Sequence, residues 1–128
     1  MAVYTAINFG SSAMTTVIAS TSATVQMMPN TRYIAEYTFG NDFNLPATSN
    51  LGDVVIVDNL VGAPYNVLIT QFNSMLQQIR FGVVESTAGN TGGLNSNTMG
   101  DSVTLTSISN NNTLWLAEAT IGATWELI

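Results

Sequence analysis

The sequence predicts an all-β domain, an antiparallel β-sandwich or a jelly-roll-like arrangement that carries one long Gly/Asn-rich loop. Three observations predict it. Short runs alternate apolar and polar residues with a period of two, the pattern of half-buried strands. Clusters of Gly, Asn, Asp and Pro break those runs at intervals of about 8 to 12 residues, the spacing of sandwiches and barrels rather than βα units. Serine, threonine and asparagine supply 42 of the 128 residues, a mix that favours turns and strands and suits helix interiors poorly.

Taken in order, the runs are as follows. "VYTAINF" alternates, with Val3, Thr5, Ile7 and Phe9 on one face. "SATVQMM" is a short strand segment. In "TRYIAEYTF", Tyr33, Ala35, Tyr37 and Phe39 share a face opposite Arg32, Ile34, Glu36 and Thr38. "DVVIV" is a continuous apolar run, which predicts a strand buried on both faces. "YNVLITQF" and "QQIRFGVV" follow; between them Asn73, Met75, Leu76 and Ile79 have the spacing of a single helical turn. Residues 86–100, "STAGNTGGLNSNTMG", show no periodicity and predict the long loop. "DSVTLTSI" alternates again, and "TLWLAEA" and "ATWELI" close the chain. The turns are "FGSS", "MPN", "FGND", "SNLGD", "NLVGAP", "NNN" and "IG". No composition shift marks a domain boundary, so residues 1–128 are expected to form one domain.

Composition limits the partners. Charged residues make up 8% of the chain, against about 25% in an ordinary domain. The net charge of −6 comes from eight carboxylates and two arginines, Arg32 and Arg80, with no lysine and no histidine. Nucleic-acid binding needs clustered cations that release phosphate counterions, and an anionic membrane repels such a chain. Neither partner is expected. There is no cysteine, hence no disulfide framework or thiolate metal site. The N-terminus lacks a basic stretch followed by a long apolar core, and no apolar run reaches the roughly 18 residues of a membrane span. Synthesis in a cytoplasm without a signal peptide is the expectation.

Reactive chemistry is scarce. Triads and Schiff-base chemistry use His, Cys or Lys, and none is present. A glycosidase-type carboxylate pair would draw on Asp42, Asp53, Asp58, Glu85, Asp101, Glu118 and Glu126, but no spacing singles out two of them. Asp53 and Asp101 each follow Gly and precede a strand, which fits turn hydrogen bonding. "GNDFN" and "VDN" offer oxygen ligands without the spacing of a calcium loop. "NNT" at 111–113 is a three-residue glycosylation match of the kind an Asn-rich chain produces by chance. The expectation is a protein that is not an enzyme and uses no cofactor and no metal.

The two tryptophans are the main candidates for recognition. In "ATWELI", Trp125 shares a face with Ala123 and Leu127 and reads as core. In "TLWLAEA", Leu114 and Leu116 lie on one face and Trp115, Ala117 and Ala119 on the other. A strand apolar on both faces is central or is covered by a second chain. Leu114, Trp115 and Leu116, with the apolar face Val3, Ile7 and Phe9, are therefore the candidate subunit-interface residues. Trp115 is also the candidate glycan contact. Uncharged strand edges endanger a free monomer, and a symmetric oligomer would cover them.

From "NLPATSNLGDVVIVDNL" to the C-terminus the chain resembles β-rich modules of phage virion-surface proteins, the tail-fibre, fibre-tip and capsid-decoration type. The matching pieces are Leu45-Pro46-Ala47, Gly52-Asp53, Ile69-Thr70-Gln71 and Ile79-Arg80-Phe81-Gly82. They continue with Gly100-Asp101-Ser102-Val103-Thr104-Leu105, Asn112-Thr113-Leu114-Trp115 and Gly122-Ala123-Thr124-Trp125. "FNSMLQ" replaces the Gly-rich turn these modules carry after the I-x-Q strand, and residues 1–40 match no part of the pattern. The resemblance implies a fibre-like module over 41–128, with 1–40 as strands of an assembly arm. It also implies an exterior, non-enzymatic structural protein of a bacteriophage-type virion, commonly a homotrimer, that binds capsid or tail. Two other readings stand beside it: a glycan-binding module that recognises a host surface, and a subunit of a non-viral extracellular filament.

Overall fold

A computed structural model of the protein describes residues 14–70, 76–89 and 91–128. The strands are β1 (Thr15–Ala19), β2 (Thr24–Gln26), β3 (Thr31–Ala35), β4 (Asn41–Asn44), β5 (Val54–Asn59) and β6 (Val67–Thr70). They continue as β7 (Gln78–Phe81), β8 (Val84–Glu85), β9 (Gly93–Ser96), β10 (Ser102–Ser107), β11 (Leu114–Ala119) and β12 (Glu126–Leu127). Two sheets form, of seven strands in the order β1-β3-β5-β10-β11-β7-β8 and of five in the order β12-β9-β6-β4-β2. Their inner faces pack together in a sandwich-like, all-β arrangement.

The expected antiparallel pairing needs correction, because both sheets are mixed. β1, β3 and β5 run parallel in the first sheet, and β2, β4 and β6 run parallel in the second. The chain changes sheet after every strand, so residues 15–70 wind as three stacked turns of a flattened coil. Parallel neighbours need a crossover of a dozen or so residues. Here each crossover is itself a strand of the facing sheet. The turn signals in this half are therefore corners between sheets and not hairpins. The second half closes the coil with antiparallel strands: β10 on β5, β11 on β10, β9 on β6 and β12 on β9. β7 returns parallel to β11 and ends in a hairpin with β8.

Period-two alternation fills the space between the sheets. Tyr33, Ala35, Val55, Val57, Ile79, Val103, Leu105, Trp115 and Ala117 point inward from the first sheet. Phe43, Val67, Ile69 and Leu94 meet them from the second, with Met27 and Leu45 beside them. Full burial of side chains this size stabilises by about 1.5–3 kcal/mol each. Tyr33 packs on Phe43 at a ring separation of 5.6 Å, and its hydroxyl accepts a hydrogen bond from the Met28 amide at 2.6 Å. One side chain thus joins core packing to the corner before β3.

Three further expectations change. β5, read as buried on both faces, buries Val55 and Val57 but leaves Val54 and Ile56 half-buried on the outer face. β3 stops at Ala35, so Tyr37 and Phe39 leave the strand. Residues 86–100 are not one loop, because β9 lies within them and pairs with β6. Leu94 is its one large apolar residue and is fully buried. Gly93 lies so close to β6 that a Cβ would meet the Ile69 carbonyl oxygen at 2.5 Å. Of the helical turn read from Asn73, Met75, Leu76 and Ile79, Ile79 belongs to β7, whereas residues 73 and 75 and the strand read at 3–9 lie outside the described residues.

Gly93→Ala is expected to push β9 off β6 and cost about 1–3 kcal/mol, as overpacking does. Urea unfolding monitored by tryptophan fluorescence measures it, and an unchanged midpoint would contradict this close approach.

Candidate functional site

Trp115 lies on the inner face of β11 and is fully buried. Its Nε1 donates to Asn112 Oδ1 at 3.0 Å. Asn112 holds a left-handed backbone at φ 59, a conformation Asn tolerates better than most residues. Its Nδ2 donates to the Pro46 carbonyl at 2.9 Å, and Ser49 Oγ donates to its Oδ1 at 2.7 Å. The Asn-Thr-x-Trp run and the Leu-Pro-Ala turn are thus two halves of one internal clamp. This corrects the reading of Trp115 as a glycan or subunit contact, because its indole offers no surface to either. Trp125 is also largely buried, and its Nε1 has no acceptor among the described residues. Leu114 and Leu116 lie on the outer face of β11, half-buried. Val3, Ile7 and Phe9 lie outside the described residues.

The ionised groups that make side-chain contacts are spent on structure. Arg32 Nε meets Asp58 Oδ2 at 2.6 Å, and Ser102 Oγ donates to Asp58 Oδ1 at 2.6 Å. Arg80 Nη2 meets Glu85 Oε2 at 2.5 Å across the β7–β8 hairpin. Both pairs lie on the outer face of the first sheet, where such pairs contribute about 0–1 kcal/mol. Asp53 Oδ2 accepts the Asn50 amide at 2.8 Å, within the turn that precedes β5. Asp101 is nearly fully buried. Its Oδ2 accepts from Ser96 Oγ at 2.5 Å and from Thr124 Oγ1 at 2.9 Å. The Thr124 amide lies 3.1 Å from the same oxygen, and Asn59 Nδ2 reaches Ser96 Oγ at 3.2 Å. Asp101 therefore ties β5, β9, β10 and the approach to β12 together. Among the described residues, no three carboxylates gather where a metal ion could bind.

A surface feature that the alternation pattern hid lies where strands leave the sheets. Tyr37, Phe39 and Tyr65 stand edge to face, with ring separations of 5.7 Å and 5.8 Å. Phe39 is 68% exposed and Tyr65 40% exposed. Gly40 brings their two turns together. It has φ +90, and a Cβ there would lie 2.5 Å from the Asn66 carbonyl oxygen. The Asn41 amide donates to that same carbonyl at 3.1 Å. Leu60, Met99 and Ile121 are exposed on turns at the same ends of the strands. This rim can stack on the apolar face of a sugar ring or on another protein's side chains. The signals in sequence were the "FGND" and "GAPY" corners, which place aromatic residues next to turn-forming glycines.

No family model matches the chain, and no curated protein matches it.

Two expected outcomes follow from these contacts. Trp115→Ala should cost about 3–5 kcal/mol, measured by urea unfolding, so any loss of binding in that variant reports unfolding. Asp101→Ala should cost about 1.5–3 kcal/mol and Asp101→Asn less. Equal stability of Asp101→Ala and the parent would contradict the role of this carboxylate as a tie.

Proposed function

We propose that the chain is a structural subunit on the exterior of a phage-type virion, a capsid decoration or fibre protein that acts by self-association and by binding the particle. The ordered run of motif pieces from Leu45 to Trp125 supports the virion class. The observation that carries the mode of action is the division of labour among side chains. The arginines and the carboxylates Asp53, Asp58, Glu85 and Asp101 are held in ion pairs and turns. Large apolar residues such as Ile18, Met28, Phe39 and Met99 remain at the surface. Such a surface works by covering apolar area against other protein, with little long-range steering. Purified protein should sediment as an oligomer and bind capsid or tail shells of its particle in a pull-down. A stable monomer that leaves both shells in the supernatant would refute the proposal.

A second reading, glycan recognition, rests on the exposed Tyr37–Phe39–Tyr65 rim. It is compatible with the first if the particle uses this protein to attach to a host. Phe39→Ala should abolish signals on a glycan array while leaving the unfolding midpoint within about 0.5 kcal/mol, as for surface changes elsewhere. Unchanged array signals would remove the rim from that role.

A further inference from the structure

The turn at residues 98–101, between β9 and β10, and the turn at residues 120–123, between β11 and β12, have one form. Each starts at a threonine and has glycine third. The fourth residue's amide donates to the threonine carbonyl, at 3.2 Å in one and 2.9 Å in the other. Gly100 and Gly122 take φ of +98 and +88, as a tight turn with positive φ at its third position requires. A cavity of about 240 Å³ lies between the two turns and is lined by them alone. A Cβ on either glycine would meet nothing within 4 Å, so the space before both is open. Residues 91–128 are described without interruption. The described chain begins at Met14 and is interrupted after Thr70 and Gly89, all at the opposite ends of the strands, beside Thr31, Gly93 and Gln77.

Asp101 brings a carboxylate to this cavity from inside the sandwich, and its two oxygens are unequally used. Oδ2 accepts from Ser96 Oγ and Thr124 Oγ1. Oδ1 has only a share of the Thr124 amide, at 3.2 Å. An ionised carboxylate offers about four acceptor sites, so Oδ1 has capacity for a further donor. Thr120, on the facing turn, is exposed, and its hydroxyl has no side-chain partner among the described residues. Trp125 comes one step beyond the Glu126–Asn95 pair, beside Ser96, and its Nε1 is a buried donor without an acceptor. Hydroxyl groups both donate and accept, and so suit such surroundings. Met99 and Ile121, both exposed, add apolar wall. The volume is below the roughly 300–1,000 Å³ of pockets for drug-sized ligands and is on the scale of one small ring. Calcium draws about six to eight oxygens, several of them from carboxylates, and a single carboxylate lines this cavity.

The cavity adjoins the aromatic rim. A Cβ on Gly62 would lie 3.0 Å from Met99 Cβ, and the Gly62 carbonyl accepts the Tyr65 amide at 3.1 Å. The corner that presents Tyr65 is thus also the corner against which Met99 stands.

We propose that this cavity is the polar subsite of a glycan-binding surface and takes one neutral hexose. One sugar hydroxyl donates to Asp101 Oδ1, a charge-assisted bond. A second meets Thr120 Oγ1, and the C–H face of the ring rests on Ile121 and Met99. This deepens the glycan reading of the Tyr37–Phe39–Tyr65 rim and rests on it.

Nuclear magnetic resonance of the isotope-labelled full chain tests this, by titration with D-glucose, D-galactose and D-mannose. At least one hexose should shift the Gly100 and Gly122 amides and the Trp125 indole N–H, saturating in the millimolar range. Asp101→Asn should weaken this response on the order of tenfold, because the donors on Oδ2 hold the amide oxygen there and Nδ2 replaces the acceptor Oδ1. Thr120→Val should weaken it about threefold to tenfold, and carries the test if Asp101→Asn does not fold. Saturating shifts confined to Phe39 and Tyr65, or shifts that both variants leave unchanged, would overturn the cavity and leave the rim standing. A full chain that responds nowhere to any hexose would overturn both. Calcium chloride or methylammonium chloride moving the two glycine amides where no hexose does would overturn the ligand class and make the cavity a cation site.

Discussion

Parallel pairing without helices governs the rest of this fold. Two neighbouring parallel strands cannot be joined by a tight turn, so each strand must leave its sheet before the chain can return beside it. Here the return path is a strand of the other sheet. That choice creates the facing sheets, sets their separation by the side chains between them, and makes each connection a corner. It explains the demand for Ser, Thr, Asn and Gly at corners, where the chain turns sharply within a few residues. It also makes the three turns of the coil alike in pattern, with Tyr33 beside Val57 and Phe43 beside Ile69 in register.

A stack of parallel turns has to end somewhere, and this chain ends it on one side by reversing direction. β9 and β10 run antiparallel against the last turn of the coil. The reversal is secured by buried polar groups and not by a disulfide or ion pair. Asn59, Ser96, Asp101 and Thr124 are drawn from both sheets and satisfy one another within hydrogen-bond distance. Placing a carboxylate there without a cation works because each donor is fixed by a strand end. The donors replace water at little further entropic cost. The clamp of Asn112, Pro46 and Trp115 does the same at the opposite ends of the strands.

Part of this was legible in sequence, for a definite reason. Period-two alternation reports which residues share a face: it grouped Trp125 with Ala123 and Leu127 as core, put Val103 and Leu105 together, and separated Trp115 from Leu114 and Leu116. It did not tell which face of β11 is the inner one. Alternation is the same in parallel and antiparallel strands, so it could not reveal the coil. Nor could it reveal that Arg32 lies near Asp58, a contact set by register alone. β9 escaped because "GLNS" lacks β-branched residues, and its place is fixed by a glycine that fits close to β6. The Tyr37–Phe39–Tyr65 rim escaped because its members belong to two different corners, brought together by Gly40. Strand parity is local information, whereas these features depend on which corner stacks on which.

The antiparallel closure also orders events during synthesis. β1 to β6 emerge from the ribosome before any of the strands that cover β5 and β6. The pairing partners of those edges begin at Gly93 and Ser102. Until those later strands emerge, β5 and β6 lack the partners they have in the finished chain. The nascent chain is therefore open to strand addition at an edge that the finished chain closes. By pairing with β5 and β6, β10 and β9 remove that edge as a route to misassembly, in addition to their contribution to equilibrium stability.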